Sequence, residues 1–145
     1  MSDAVAILRF RTDEPHDEPA VVLDAFLAGQ TDTTAVGLEA GDDARALLPY
    51  LGRITLIEVR FPSFRDGRGY SAASILREGG YTGELRAAGD VLVDQMLFMR
   101  RCGFDSFAPD APVDPAVLQR SIDRYAGNYQ PAADGAVPVW RQRHG

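Results

Sequence analysis

At 145 residues, with 46% hydrophobic and 25% charged side chains, the chain has the balance of one globular domain and not of a disordered tail or a two-domain enzyme. One cysteine, Cys102, excludes an internal disulfide and any cysteine-based zinc or iron–sulfur site, and because all 15 basic residues are Arg there is no lysine for a Schiff base or a Walker-type phosphate loop. The net charge of −6 is uneven: residues 60–101 hold 7 Arg against 5 acids while the flanks are acidic, a pattern that disfavours nucleic acid and suits a small anion.

In chain order, Val5 to Phe10 is a short apolar run, and TDEPHDEP after it reads as an exposed acidic connector. AVVLDAFLA (20–28) predicts a short helix stopped by Gly29. A strand–helix alternation then begins. TAVGLE (34–39) is a strand, and Asp42 or Asp43 caps the helix ARALLPYL, which Pro49 shortens or bends. ITLIEVRF (54–61), β-branched and apolar on both faces, is the strongest strand. PSFRDGRG is a loop, YSAASILRE (70–78) a helix, and ELRAAG (84–89) a third strand. DVLVDQMLFMRRC (90–102) is a helix capped by Asp90, FDSFA (104–108) a fourth strand, and Asp114-Pro115 opens the helix 116–126. The remainder, including VPVW (137–140), is an extended tail.

Four such pairs with short connections predict a single α/β domain with about four parallel strands, either half barrel-like or an open three-layer sheet. The expected organisation is an N-terminal extension (1–33) with a short strand and helix, an α/β core (34–127) and a C-terminal tail (128–145). No span of about 20 apolar residues is present and the start lacks a cleavage-like site, so the sequence reads as cytoplasmic, with no membrane partner. The apolar excess of helix 90–102, together with the VPVW segment, predicts a homodimer.

Loops that follow strands share one end of a parallel sheet, where ligands bind. RFPSFRDGRGY (60–70) falls there, with Arg65 and Arg68 as planar donors, Asp66 and Tyr70 beside them, and helix-start N–H groups behind; Asp90 follows the third strand. Arg86 lies two residues after Glu84, so both side chains share one strand face. These six residues form the candidate ligand-binding set, with sulfite, sulfate, phosphate or a phosphorylated metabolite as the class of ligand. The competing expectation is an internal network in which Asp66, Glu84, Asp90 and Asp94 neutralise the same arginines, with Arg86 bridging Asp66, Asp90 or Glu58. His16 and His144 have no triad partner, and Cys102, away from any helix start, reads as a core thiol. No metal site is expected, no catalytic residue stands out, and no cofactor is named by these residues.

The blocks FPSFRDGRGYSAASILRE, GYTGELRAAGDVLVDQMLFMRRCGFDSF and YQPAAD, in that order, resemble the bacterial family known as domain of unknown function 934, across roughly residues 34–141. Members often carry the description of an oxidoreductase of sulfite reduction, and their genes commonly sit beside those of the sulfite reductase haemoprotein and other assimilatory sulfate-reduction enzymes. The resemblance assigns no role to Asp66, Arg68, Tyr70 or Asp90. It implies an accessory protein of sulfite reduction with a sulfate-assimilation enzyme as partner, or alternatively a small cofactor-dependent oxidoreductase. The residues favour the first, because six-electron sulfite reduction uses sirohaem with a four-cysteine cluster, and DGRGY supplies only two glycines of a dinucleotide fingerprint.

Overall fold

The computed structural model describes residues 5–13, 19–29, 32–111, 113–114, 116–117, 119–120 and 139–143. The strands are β1 (Val5–Arg9), β2 (Val21–Val22), β3 (Ala35–Leu38), β4 (Leu56–Phe61), β5 (Glu84–Gly89), β6 (Ser106–Pro109) and β7 (Val139–Arg143). The helices are α1 (Leu23–Leu27), α2 (Arg68–Glu78) and α3 (Val93–Cys102), with a 3-10 segment at Ala44–Arg53. All seven strands form one sheet in the order β2-β3-β4-β5-β6-β1-β7. From β2 to β6 every neighbour is parallel, whereas β1 runs antiparallel to β6 and β7 antiparallel to β1.

This is the predicted α/β fold with one more parallel strand than expected and two antiparallel additions. Val21 and Val22 pair with Val36 and Gly37, so the segment 20–28 divides into β2 and α1. Two β-branched residues suffice there, because a strand that short carries no periodicity to read. The ARALLPYL stretch winds as a 3-10 segment around Pro49, and Asp43 caps it by accepting the Arg45 N–H at 3.0 Å. The helix expected from Asp90 begins at Val93, with Leu92 at its N-cap and no side-chain cap. VPVW was expected to lie on a neighbour, yet Val139 and Trp140 belong to β7, which pairs with β1 of the same chain. Residues 116–117 and 119–120 are helical; the rest of the helix expected over 116–126, with His16 and His144, lies outside the described residues.

Strand order runs without reversal from β2 to β6, so right-handed crossovers place the helices on one face of the sheet, as in a half barrel. Strand alternation confirms it. Leu8, Val36, Leu38, Ile57, Val59, Phe61, Leu85, Ala87 and Phe107 join Ala72, Ala73 and Leu76 of α2 and Met96 and Met99 of α3 in one buried cluster. Fully burying each large side chain contributes about 1.5–3 kcal/mol, and edge-on aromatic contacts such as Phe61 with Phe104, centroids 5.8 Å apart, add to it. The opposite face carries a small cluster of Ile7, Ala88 and Ala108, and with it the charged side chains of Arg9, Glu58, Glu84 and Arg86.

Candidate functional site

The parallel strands deliver their following loops to one end of the sheet, and backbone bonds knit the ends of β4, β5 and β6 together. Phe61 O accepts the Asp90 N–H at 2.9 Å, and Gly89 O accepts the Asp110 N–H at 2.9 Å. Gly89 has φ +95°, and a Cβ on it would collide with the Phe61 carbonyl. Asp90 accepts the Phe64 N–H at 2.8 Å and Gln95 donates to Phe64 O at 2.9 Å, fixing the β4–α2 loop to the start of α3.

Between the β3 loop and the first turns of α2 lies a cleft of about 220 Å³. One wall is residues 39–45; the other is Arg68, Gly69, Ser71, Ala72 and Ile75, with Leu38, Val59 and Arg60 at the floor and rim. Gly69 sets the width of that second wall. Its Cα rests on the Phe61 ring so closely that a Cβ would enter it, and this brings the start of α2 down onto the end of β4.

The decisive geometry is at Arg68. Asp66 Oδ1 accepts the Arg68 backbone N–H at 2.9 Å and Nε at 3.0 Å, and Oδ2 accepts Nη2 at 2.6 Å. One edge of the guanidinium is therefore held, and the Asp66 carboxyl is pulled down to about 2 by these bonds. The other edge faces the cleft, with Nη1 3.5 Å from where a Cβ on Gly41 would stand. An arginine oriented in this way presents two N–H donors at a fixed position.

The other expected site residues disperse. Arg65 lies exposed over the Phe64 ring at 5.4 Å. Tyr70 packs its ring on Phe61 and Phe98, and burial raises its hydroxyl above the usual range. Asp90 is spent on the loop bond. Arg86 lies on the face opposite α2 and α3, bonded to Glu84 at 3.0 Å and Ser106 at 3.3 Å and 3.5 Å from Glu58, so it does not join Arg68. Of the arginines, the cleft is lined instead by Arg45 and Arg60 with Arg68. Arg60 pairs with Asp110 at 3.1 Å across the rim. Residues 39–45 escape a motif search because they look like plain helix-opening turn chemistry; the signal was their place after a strand.

A second charged cluster lies toward the N-terminal ends of the strands. Glu84 is gripped by Arg9 through one oxygen and by Arg86 through the other, while Asp105 accepts from Arg11 at 2.7 Å, Arg77 at 3.1 Å and the Leu85 N–H at 2.8 Å. Burial holds the Asp105 carboxyl above its ordinary value against those arginines. These bonds make the cluster a clasp between β1, β5 and β6. Among the described residues no group of three or more His, Cys, Asp or Glu side chains is placed to hold a metal ion, and no helix is long and apolar enough to cross a membrane.

The sequence profile of the bacterial proteins of unknown function DUF934 matches residues 35–140, which takes in β3 through β6 and both walls of the cleft. The chain belongs to the DUF934 family. Neither the curated proteins nor the solved structures supply a match. Within this DUF934 chain the two motif blocks FPSFRDGRGYSAASILRE and GYTGELRAAGDVLVDQMLFMRRCGFDSF have distinct structural work: the first builds the β4 end, the Asp66–Arg68 clamp and α2, the second builds β5, α3 and the entry to β6.

Proposed function

We propose that this DUF934 chain is a cytoplasmic accessory protein of sulfite reduction that works as a homodimer, carries no redox centre of its own, and binds a small oxyanion or phosphorylated metabolite in the cleft. The binding half of this reading is carried by one observation: Asp66 fixes the Nε and Nη2 edge of Arg68 and leaves Nη1 at the cleft, beside the start of α2. A preorganised guanidinium loses little freedom on meeting an oxyanion, and the partial positive charge of a helix start reinforces it. The pathway half is supported by the family resemblance and its gene neighbourhood, and by a single cysteine, too few for an iron–sulfur cluster. The homodimer half is supported by the exposed Leu92 and Phe98 beside and on α3.

Calorimetric titration with sulfite, sulfate and phosphate tests the binding half. Millimolar binding by the wild type is expected, with at least about a tenfold loss in Arg68→Gln and a melting temperature that hardly moves, since a surface ion pair contributes little stability. No binding at millimolar anion, or equal binding by Arg68→Gln, would reject it. Affinity capture from the native cell tests the pathway half: the sulfite reductase haemoprotein should be retained, and its absence under gentle conditions counts against the accessory role.

A further inference from the structure

The α2 wall of the cleft carries Arg68, and the β3-loop wall carries three acids against one arginine, Arg45. Glu39, Asp42 and Asp43 lie on the β3-loop wall, facing the α2 wall with Arg68. Two of these acids are already engaged: Asp42 Oδ2 accepts the Glu39 N–H at 2.8 Å, and Asp43 Oδ1 accepts the Arg45 N–H at 3.0 Å with the Arg45 guanidinium 3.6 Å away. The Glu39 carboxylate is exposed and has no hydrogen-bond or ion-pair partner among the described residues. Across the cleft, Arg68 Nη1 is likewise unspent, and no ion pair joins it to Glu39. The cleft is also lined by the apolar side chains of Leu38, Val59 and Ile75.

A bare inorganic anion would satisfy Arg68 but bring its charge toward the unpaired Glu39 carboxylate. A molecule that also carries a cationic group turns that repulsion into attraction. Resting on the reading of this cleft as an anion site, we propose that its ligand class is a short zwitterion, with an oxyanion on Arg68 Nη1, a primary ammonium on Glu39, and a few methylene groups over Leu38, Val59 and Ile75. The size agrees: drug-sized ligands occupy pockets of about 300–1,000 Å³, and this cleft, at about 220 Å³, is below that class.

Matched pairs of probes isolate the cationic group. Ethylphosphonate against 2-aminoethylphosphonate, and propylphosphonate against 3-aminopropylphosphonate, are titrated calorimetrically into the full wild-type chain and into Glu39→Gln, an exposed loop position whose melting temperature serves as the folding control. The amine-bearing member of at least one pair should bind about tenfold tighter to the wild type, and Glu39→Gln should abolish that advantage while binding the plain phosphonate as well as before or better. Equal binding within both pairs, or an advantage that survives Glu39→Gln, overturns the zwitterion inference and leaves the anion reading standing. A uniform gain for every anion in Glu39→Gln, with no amine preference in the wild type, shows Glu39 acting only as a competitor for Arg68 and also overturns it. Failure of every probe to bind removes the anion reading beneath it as well.

Discussion

Arg9 and Glu84, 75 residues apart in sequence, meet through two bonds of 3.0 and 2.8 Å to one carboxylate oxygen, while Arg86 takes the other oxygen at 3.0 Å. The Glu84 side chain is wholly buried and both arginines nearly so. Burial alone would push this carboxyl up, and it is the largest single influence, but the Arg9 bonds and the charge of Arg86 outweigh it and hold the group below its ordinary value. Removing the shared anion takes the buried partner from both guanidinium groups, leaving Arg9 with the half-exposed Asp13 and Arg86 with Ser106 and Glu58. Glu84→Ala should therefore cost about 3–5 kcal/mol in urea unfolding, whereas exposed Glu78→Ala should stay within about 0.5 kcal/mol. The sign with pH follows: a carboxyl lowered by folding contributes stability that is complete above its unfolded value of 4.5 and is lost as pH falls through its lower folded value. Stability of the wild type should accordingly drop on acidification below that value, and Glu84→Gln should show a shallower slope over the same range.

Two glycines press on Phe61 in different ways, and substitutions should separate them. At Gly69 an added Cβ meets the ring of Phe61, whereas at Gly89, with φ +95°, it meets the Phe61 carbonyl and backbone nitrogen. A ring can be trimmed; a main chain cannot. Gly69→Ala should destabilise by about 1–3 kcal/mol, and adding Phe61→Leu should recover part of that loss, giving a non-additive pair. Gly89→Ala should cost more and gain nothing from Phe61→Leu. Equal rescue of both by thermal melting would show that the two contacts are of one kind.

The parallel sheet was legible because short apolar segments alternate with helical ones across turn chemistry, and Glu84–Gly89 coincides with the segment read from sequence. What escaped was set by distant partners. Nothing near Val21 announces a strand; Val36 across the ladder supplies it. Nothing in Val5–Arg9 says that it inserts between β6 and a strand from residues 139–143. The six residues read as one set lie apart: Arg68 lines the cleft and Asp66 holds it, while Arg65, Tyr70, Arg86 and Asp90 make other contacts. Asp66 and Arg68 do form one unit, because a pair two residues apart on a turn needs no tertiary information. Arg86 was expected either at the ligand or bridged to Asp66, Asp90 or Glu58, and Glu58 is its neighbour across the β4–β5 register. Strand alternation already placed it with Glu84; only the handedness of the whole sheet says that this face lies opposite α2.

The clamp itself has a spectroscopic signature. The Asp66 carboxyl is lowered from 3.8 to about 2, first by the Arg68 side-chain bonds and then by the Arg68 backbone N–H. Its contribution is present in full above 3.8 and disappears only as pH falls through about 2. Carboxyl titration by NMR should find Asp66 still charged well below its ordinary value of 3.8. Arg68→Gln removes the larger cause and keeps the backbone donor, so Asp66 should move back toward 3.8 without reaching it. An unmoved Asp66 in that variant would mean that Arg68 is not held as described, and the orientation of Nη1 would lose its support.

The homodimer reading makes its own demand on α3. Phe98 is 57% exposed although its ring touches Tyr70, with centroids 5.6 Å apart, and Leu92 just ahead of the helix is 40% exposed. Within one chain Phe98 has little to lose, so Phe98→Ser should shift folding stability by less than about 1 kcal/mol, because an exposed side chain loses little transfer energy on truncation. At a two-fold interface the same residue would appear twice, once from each copy, and its truncation would be felt twice. Sedimentation velocity at micromolar concentration should then show a dimer for the wild type and a monomer for Phe98→Ser, with unchanged circular dichroism. A wild type that sediments as a monomer, or a dimer indifferent to Phe98→Ser, removes α3 as the interface and leaves Phe98 as a ring partner of Tyr70.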